Sequence, residues 1–247
     1  EPSITSIIHP PPPSSKNSVL RRKIAKKDIE KMSSEPIMQR DAESGEMDLA
    51  AASSGWNIQM SFMLMGLCFS INHGCVTAVL GLATAELGDD LGGIQSGVLY
   101  VMYTMSALFV ATSLVHHLGA KWSLVWGLGL YCAYVASFLI AVKVPSVKWP
   151  AAIIGSGIGG LAAGWLWTAQ GVYFGRSCER YSAATNTSIE STTSWLASIF
   201  AVFYVGFEVV LRLAISFLYE FGGDAFVYTV FTAISVSCAV CMAFVPK

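Results

Sequence analysis

Charge is what this sequence has least of. Only 13% of its 247 residues are Asp, Glu, Lys or Arg, against about a quarter in a soluble domain. Even that little is gathered at one end. Eight of the fifteen bases (Lys16, Arg21, Arg22, Lys23, Lys26, Lys27, Lys31, Arg40) and eight of the sixteen acids precede residue 49. A water-soluble fold is excluded for the rest of the chain, and no nucleic acid is expected as a partner. Histidine is nearly absent, with four residues. The six cysteines (Cys68, Cys75, Cys132, Cys178, Cys238, Cys241) fall mostly inside apolar runs, where a thiol behaves as a small hydrophobe and builds no disulfide framework. No nucleophile with a base, no metal cluster and no phosphate loop is found, so the reading is not an enzyme, with no metal and no cofactor. The basic segment near residue 22 is followed by polar residues rather than an apolar stretch, so no cleavable signal peptide is read. A first residue of Glu1 instead of Met suggests a processed or truncated chain.

What the chain has in abundance is apolar surface, with 54% hydrophobic residues. Residues 1–54, with a Pro10 to Pro13 run, serines and mixed charge, cannot bury enough surface to offset their ordering entropy and read as a flexible basic tail. From Asp48 the next charge is Glu86, leaving 37 uncharged residues that contain Ile58 to Leu82. That is ample for the ~20 residues needed to cross a ~30 Å hydrocarbon core. Five further runs succeed it: Ile94 to Val115, Trp122 to Val142, Ala151 to Tyr173, Ser194 to Tyr219 and Ala225 to Val245. Backbone at such depth must satisfy its own hydrogen bonds, so each run is expected to be helical. The domain division is therefore a tail, 1–54, and a six-helix transmembrane domain, 55–247.

Orientation follows from the bases in short flanks. The tail, the loop His116-His117-Leu118-Gly119-Ala120-Lys121, the Arg176 and Arg180 region and Lys247 fall on one side, which is read as cytoplasmic along with both termini. Glu86, Asp89, Asp90, Glu220 and Asp224 fall on the other, with Lys143 and Lys148 against the trend. Trp122, Trp149, Trp167, Tyr100, Tyr103 and Tyr219 are read near helix ends, as interfacial aromatics. Asn186-Thr187-Ser188 matches a glycosylation sequon, but the charge bias puts that loop in the cytoplasm, where it stays unmodified. The tail segment Arg21 to Lys31 either lies on anionic lipid or is solvated, and the interspersed Asp28 and Glu30 favour solvation.

Two motifs that look like chemistry have plainer readings. Gly155-Ser156-Gly157-Ile158-Gly159-Gly160 satisfies G-x-G-x-x-G, but within an apolar span rather than between a strand and a helix. Gly155 with Gly159, and Gly160 with Gly164, are read as small-residue pairs for close helix packing. Cys238-Ala-Val-Cys241 lacks a second pair or a nearby His and is read as packing too. The informative departures from apolarity are Glu208 and Arg212, which cost roughly 2.5 to 3.5 kcal/mol each at a helix centre. Four residues apart, they share a face. They are either a cavity-lining pair or a self-neutralised structural pair. Asn72 and His73 in the first span, and Gln170 in the fourth, complete the candidate substrate pathway.

With six spans, a short basic loop between the second and third, and cytoplasmic termini, the chain resembles one half of a major facilitator superfamily transporter. Leu118-Gly119-Ala120-Lys121 is similar to the tail of that superfamily's loop motif, keeping Gly119 and the base Lys121, while His116 stands where the motif has an aspartate. The segment Gly157-Ile-Gly159-Gly160-Leu-Ala-Ala-Gly164-Trp165-Leu-Trp167-Thr168-Ala169-Gln170-Gly171-Val-Tyr173 and the earlier Leu118 to Leu124 resemble the UNC-93-like family. The resemblance covers residues 56 to 245. It implies an all-α polytopic membrane protein, half of a major facilitator fold, whose substrate site would lie between two six-helix halves. It also implies two functional readings, because some members are described as regulators of potassium channels or trafficking partners. One is a transporter of a small solute or ion. The other is a non-transporting subunit binding a membrane-protein partner through its glycine-rich helix face. The expected partners are thus the lipid bilayer, a small solute or ion, and a membrane protein or second six-helix half.

Overall fold

The computed structural model describes the backbone of residues 37–246 and the side chains of residues 53–246. The basic segment Arg21 to Lys31, and the tail up to residue 36, lie outside the described residues. Helix α1 runs Ile37–Gly81; its stretch Ser53–Gly81 is long and apolar enough to cross a membrane. Four further stretches qualify: α2, Asp89–Leu118; α3, Ala120–Lys143; α4, Lys148–Thr185; and a 56-residue helical stretch, Ile189–Phe244. That last stretch is broken at Gly223, whose φ of 68° and ψ of −170° are not helical. It comprises two rods, α5 (189–222) and α6 (224–244). At 1.5 Å per residue α6 alone is about 30 Å long, one bilayer core. The described residues therefore form six helices of crossing length, an all-α polytopic membrane protein.

Single glycines make the tightest reversals. Gly88 (φ 89°, ψ 159°) separates the short helix Ala83–Leu87 from α2, and Gly119 (φ 76°, ψ 158°) separates α2 from α3. Both lie in the positive-φ region where a side chain is penalised. Asp89 and Asp90 occupy the first turn of α2, placed favourably for the helix dipole, and His116 and His117 occupy its last. Pro145 opens the 3-10 turn between α3 and α4, where its missing N–H costs nothing. Asn186 closes α4 in the left-handed conformation (φ 52°), and the Ser188 hydroxyl accepts from the Ser191 N–H to start α5.

Lipid tails are as apolar as leucine, so these helices are held by close contact and by polar bonds between them. On α4, Gly155 and Gly159 face α3 and Gly160 and Gly164 face α2. A Cβ on Gly159 would stand 2.8 Å from the Tyr134 ring, one on Gly155 would collide with the Ser137 hydroxyl, one on Gly160 with the Leu99 carbonyl, and one on Gly164 would stand 2.7 Å from the Tyr103 carbonyl. Beside Gly164 the ladder of α2 loosens into a π-turn, Ser106–Val110, and the Ser106 hydroxyl donates to the Leu161 carbonyl at 2.7 Å. Gln95 accepts from Ser156, tying α2 to α4 once more. The side-chain amide of Asn72 donates to the Ser235 carbonyl at 2.9 Å, tying α1 to α6. The large side chains Phe62, Phe69, Tyr131, Tyr134, Phe138, Tyr228 and Phe231 fill the interior.

The structure corrects three expectations. Helix α1 already runs through residues 37–54, which the sequence reading placed in the flexible tail. Trp167 sits near the middle of α4 and Tyr100 and Tyr103 within α2, not at helix ends. Helix α4 continues past Tyr173 to Thr185, so the apolar run and the helix have different centres. The glycine face of α4, expected to bind a partner, is occupied inside the bundle by α2 and α3.

Candidate functional site

Parallel odd-numbered helices set up the site. Down α1, Cβ atoms built on Gly66, Gly74 and Gly81 would meet successively later residues of α5: Phe203 at 3.5 Å, Leu211 at 2.6 Å and Arg212 at 3.7 Å. Gly74 also approaches the Phe207 carbonyl, with 3.4 Å to a built Cβ, so α1 and α5 touch almost backbone to backbone there. His73 is its neighbour in sequence and lies beside the same crossing. This second set of glycines was not singled out from sequence, although 66, 74 and 81, spaced by eight and seven, share a helix face.

His73 is buried in a box of four rings from four helices. Phe69 of α1 stacks on it with centroids 5.8 Å apart, Trp167 of α4 meets it edge-on at 5.4 Å, and Tyr131 of α3 and Tyr204 of α5 lie at 5.8 and 5.3 Å. Its Nε2 is 3.1 Å from the Tyr204 hydroxyl. Its Nδ1 is buried without a hydrogen-bond partner among the described residues, an arrangement that costs free energy unless something else satisfies it. Tyr204 begins a polar stripe, because Tyr204, Glu208 and Arg212 recur every four residues along one face of α5. Arg212 Nη2 donates to Glu208 Oε1 at 2.8 Å. Glu208 is about a quarter exposed and Arg212 half exposed, 26% and 52% of the side chain, so the pair sits at the edge of the bundle.

Of the other expected pathway residues, Asn72 parts company with this group. Asn72 is fully buried but turns toward α3 and α6, bonding Ser235 and, at 3.6 Å, the Cys132 sulfur. Consecutive helical residues point about 100° apart, which is why His73 and Asn72 cannot share a site. Gln170 is buried on α4, one turn beyond Trp167. Gly119 forms the α2–α3 reversal, and Lys121 places its ammonium 5.7 Å from the Trp122 ring centroid. Tyr204, Trp167 and Tyr131 were not singled out from sequence as site residues; Tyr204 carried a readable signal, standing one turn before Glu208.

At the opposite end of the bundle, Tyr219 of α5 donates to the Glu86 carboxylate and the Lys148 ammonium donates to the Glu86 backbone carbonyl at 3.3 Å. This joins the turns after α1, α3 and α5. Among the described residues no group of three or more His, Cys, Asp or Glu is placed to hold a metal ion. Cys238 is buried in α6 and Cys241, one turn on, is exposed. A family model described as "Ion channel regulatory protein UNC-93" matches residues 89–247. No solved structure matches the chain.

Proposed function

From the premise that this chain belongs to the UNC-93 family, whose model covers well over half of it, we propose that it moves a small solute or ion across the membrane as a six-helix, facilitator-like bundle. The observation that carries this reading is the His73–Tyr204 contact, continued along α5 by Glu208 and Arg212. Polar and ionisable groups at membrane depth are costly, and a run of them on one helix face is what a pathway requires. A buried histidine with one ring nitrogen bonded and the other unpartnered is suited to exchange a hydrogen bond with a passing solute. The exposed side of the Glu208–Arg212 pair gives the run an opening onto a second six-helix bundle, between which the pathway would close. The side that holds the Gly119 loop and the chain's last residues is cytoplasmic in this reading, from the bases Lys121, Arg176 and Arg180.

Reconstituted full-length protein tests the proposal. Proteoliposomes with trapped pH and potassium dyes should show flux that falls at least roughly tenfold in Glu208→Gln and His73→Phe, the loss of about 1.4 kcal/mol of transition-state stabilisation. Unchanged flux and pH dependence in both variants would remove these residues from any pathway.

The family's own description supports a second reading, in which the chain regulates an ion channel instead of carrying solute. Its docking face would be the outward side of α5, where Val202, Val205, Val209 and Leu213 are exposed. Loss of a co-purifying channel on Val205→Trp and Val209→Trp, with no flux by the wild type, would favour it.

A further inference from the structure

A cavity of about 1060 Å³ opens at the end of the bundle where α2 turns into α3 and α4 runs out past its apolar stretch. None of the His73 group lines it, so its role is independent of the transport reading. Its lining joins two chemistries. Lys121, Arg176 and Arg180 contribute three bases, while Met60, Leu64 and Phe203 of α1 and α5 make an apolar wall. Among the described residues no Asp or Glu lines it. Both Met60 and Leu64 remain about two-fifths exposed, at 43% and 40%, so the apolar wall is open toward the surroundings of the bundle.

The placement matters as much as the content. The bases come just after the apolar stretches of α2 and α4 at the level of Trp122 and Tyr173, an aromatic pair of the kind found where hydrocarbon meets headgroups. Lys121 sits over the Trp122 ring, and the Tyr173 hydroxyl donates to the Pro246 carbonyl at 3.1 Å, tying α4 to the end of α6. A ligand filling this space needs an anionic group at the interface and an apolar body reaching into the core. A soluble anion satisfies only the first requirement and an uncharged lipid only the second.

We propose that this cleft binds an anionic phospholipid from the bilayer, its phosphate and headgroup on Lys121, Arg176 and Arg180 and an acyl chain along Met60, Leu64 and Phe203. Guanidinium groups match phosphate oxygens in two-pronged hydrogen bonds. Basic pockets between helices capture headgroups with a gain per base that is additive to first order. A bound lipid there would also brace the α2–α3 reversal against the outer turns of α4.

The test uses the full chain, purified in mild detergent, delipidated and then loaded with phosphatidylserine or phosphatidylcholine, with the lipid that stays bound read by native mass spectrometry. Phosphatidylserine should be retained and phosphatidylcholine lost. The variant K121Q/R176Q/R180Q should weaken phosphatidylserine retention by roughly a hundredfold, and K121R/R176K/R180K, which keeps the charges but loses two two-pronged contacts, should lose less than that. Leu64→Trp, which fills the apolar wall and leaves every base in place, should weaken it too. Helix content by circular dichroism identifies a variant that has not folded, and in that event Leu64→Trp decides. Equal retention of the two lipids, undiminished retention in the folded charge-removed variant or in Leu64→Trp, or displacement of the lipid by inorganic phosphate would overturn the proposal.

Discussion

Tyr204 links the bundle's buried histidine to the charged stripe of α5, and its hydroxyl is the one polar partner that His73 has among the described residues. Tyr204→Phe keeps the ring that packs on Trp167 and Phe200 while deleting that partner. Thermal unfolding in detergent should show a loss of about 1 kcal/mol, the value of one buried hydrogen bond; an unchanged midpoint would mean that the contact is idle. The Glu208–Arg212 pair makes a different prediction. Arg212→Leu strands a carboxylate on an apolar helix, so it should lower the midpoint more than the paired change Glu208→Leu with Arg212→Leu. This pair was legible in the sequence, because two charges four apart in an apolar run share a face whatever the fold. The pairing of His73 with Tyr204 was not: spacing puts Tyr204 on the face of Glu208, but nothing local links that face to a histidine 131 residues away.

At the scale of the element, the uncharged runs located the helices, and the gap between Tyr219 and Ala225 separated the last two. What the runs did not carry was length. Hydropathy falls where the bilayer ends, but the backbone bonds of α4 continue through Arg176, Glu179 and Arg180 to Thr185, and this displaced Trp167 from its true position near the helix middle. The glycines of α4 divide by what faces them. Gly164→Leu should push α4 off the backbone of α2 and cost roughly 1–3 kcal/mol or more, measured as a lower unfolding midpoint. Gly171→Ala, where a Cβ would meet nothing within 4 Å, should change the midpoint little and, with its better helix propensity, raise it slightly. At the α5–α6 break, Gly223→Ala should cost about 1–3 kcal/mol, because its φ and ψ fall in a region essentially restricted to glycine.

On the scale of the whole molecule, six rods alternate in direction. The Gly119 reversal, the outer turns of α4 and Pro246 line one cavity, and Thr185 reaches the beginning of the crossing stretch of α1, 2.7 Å from a Cβ built on Gly55. Glu86, Lys148 and Tyr219 meet at the other end. Such a pairing of ends is possible only if every successive helix reverses. Glycosylation scanning in microsomes tests this directly, with acceptor sites inserted after Gly88, Ser146 and Gly222, compared with sites inserted after Gly119 and with the native Asn186. Six alternating crossings predict one modification state for the first three and the opposite state for the last two. The same state at two consecutive loops, such as those at Gly88 and Gly119, would contradict the six-helix bundle.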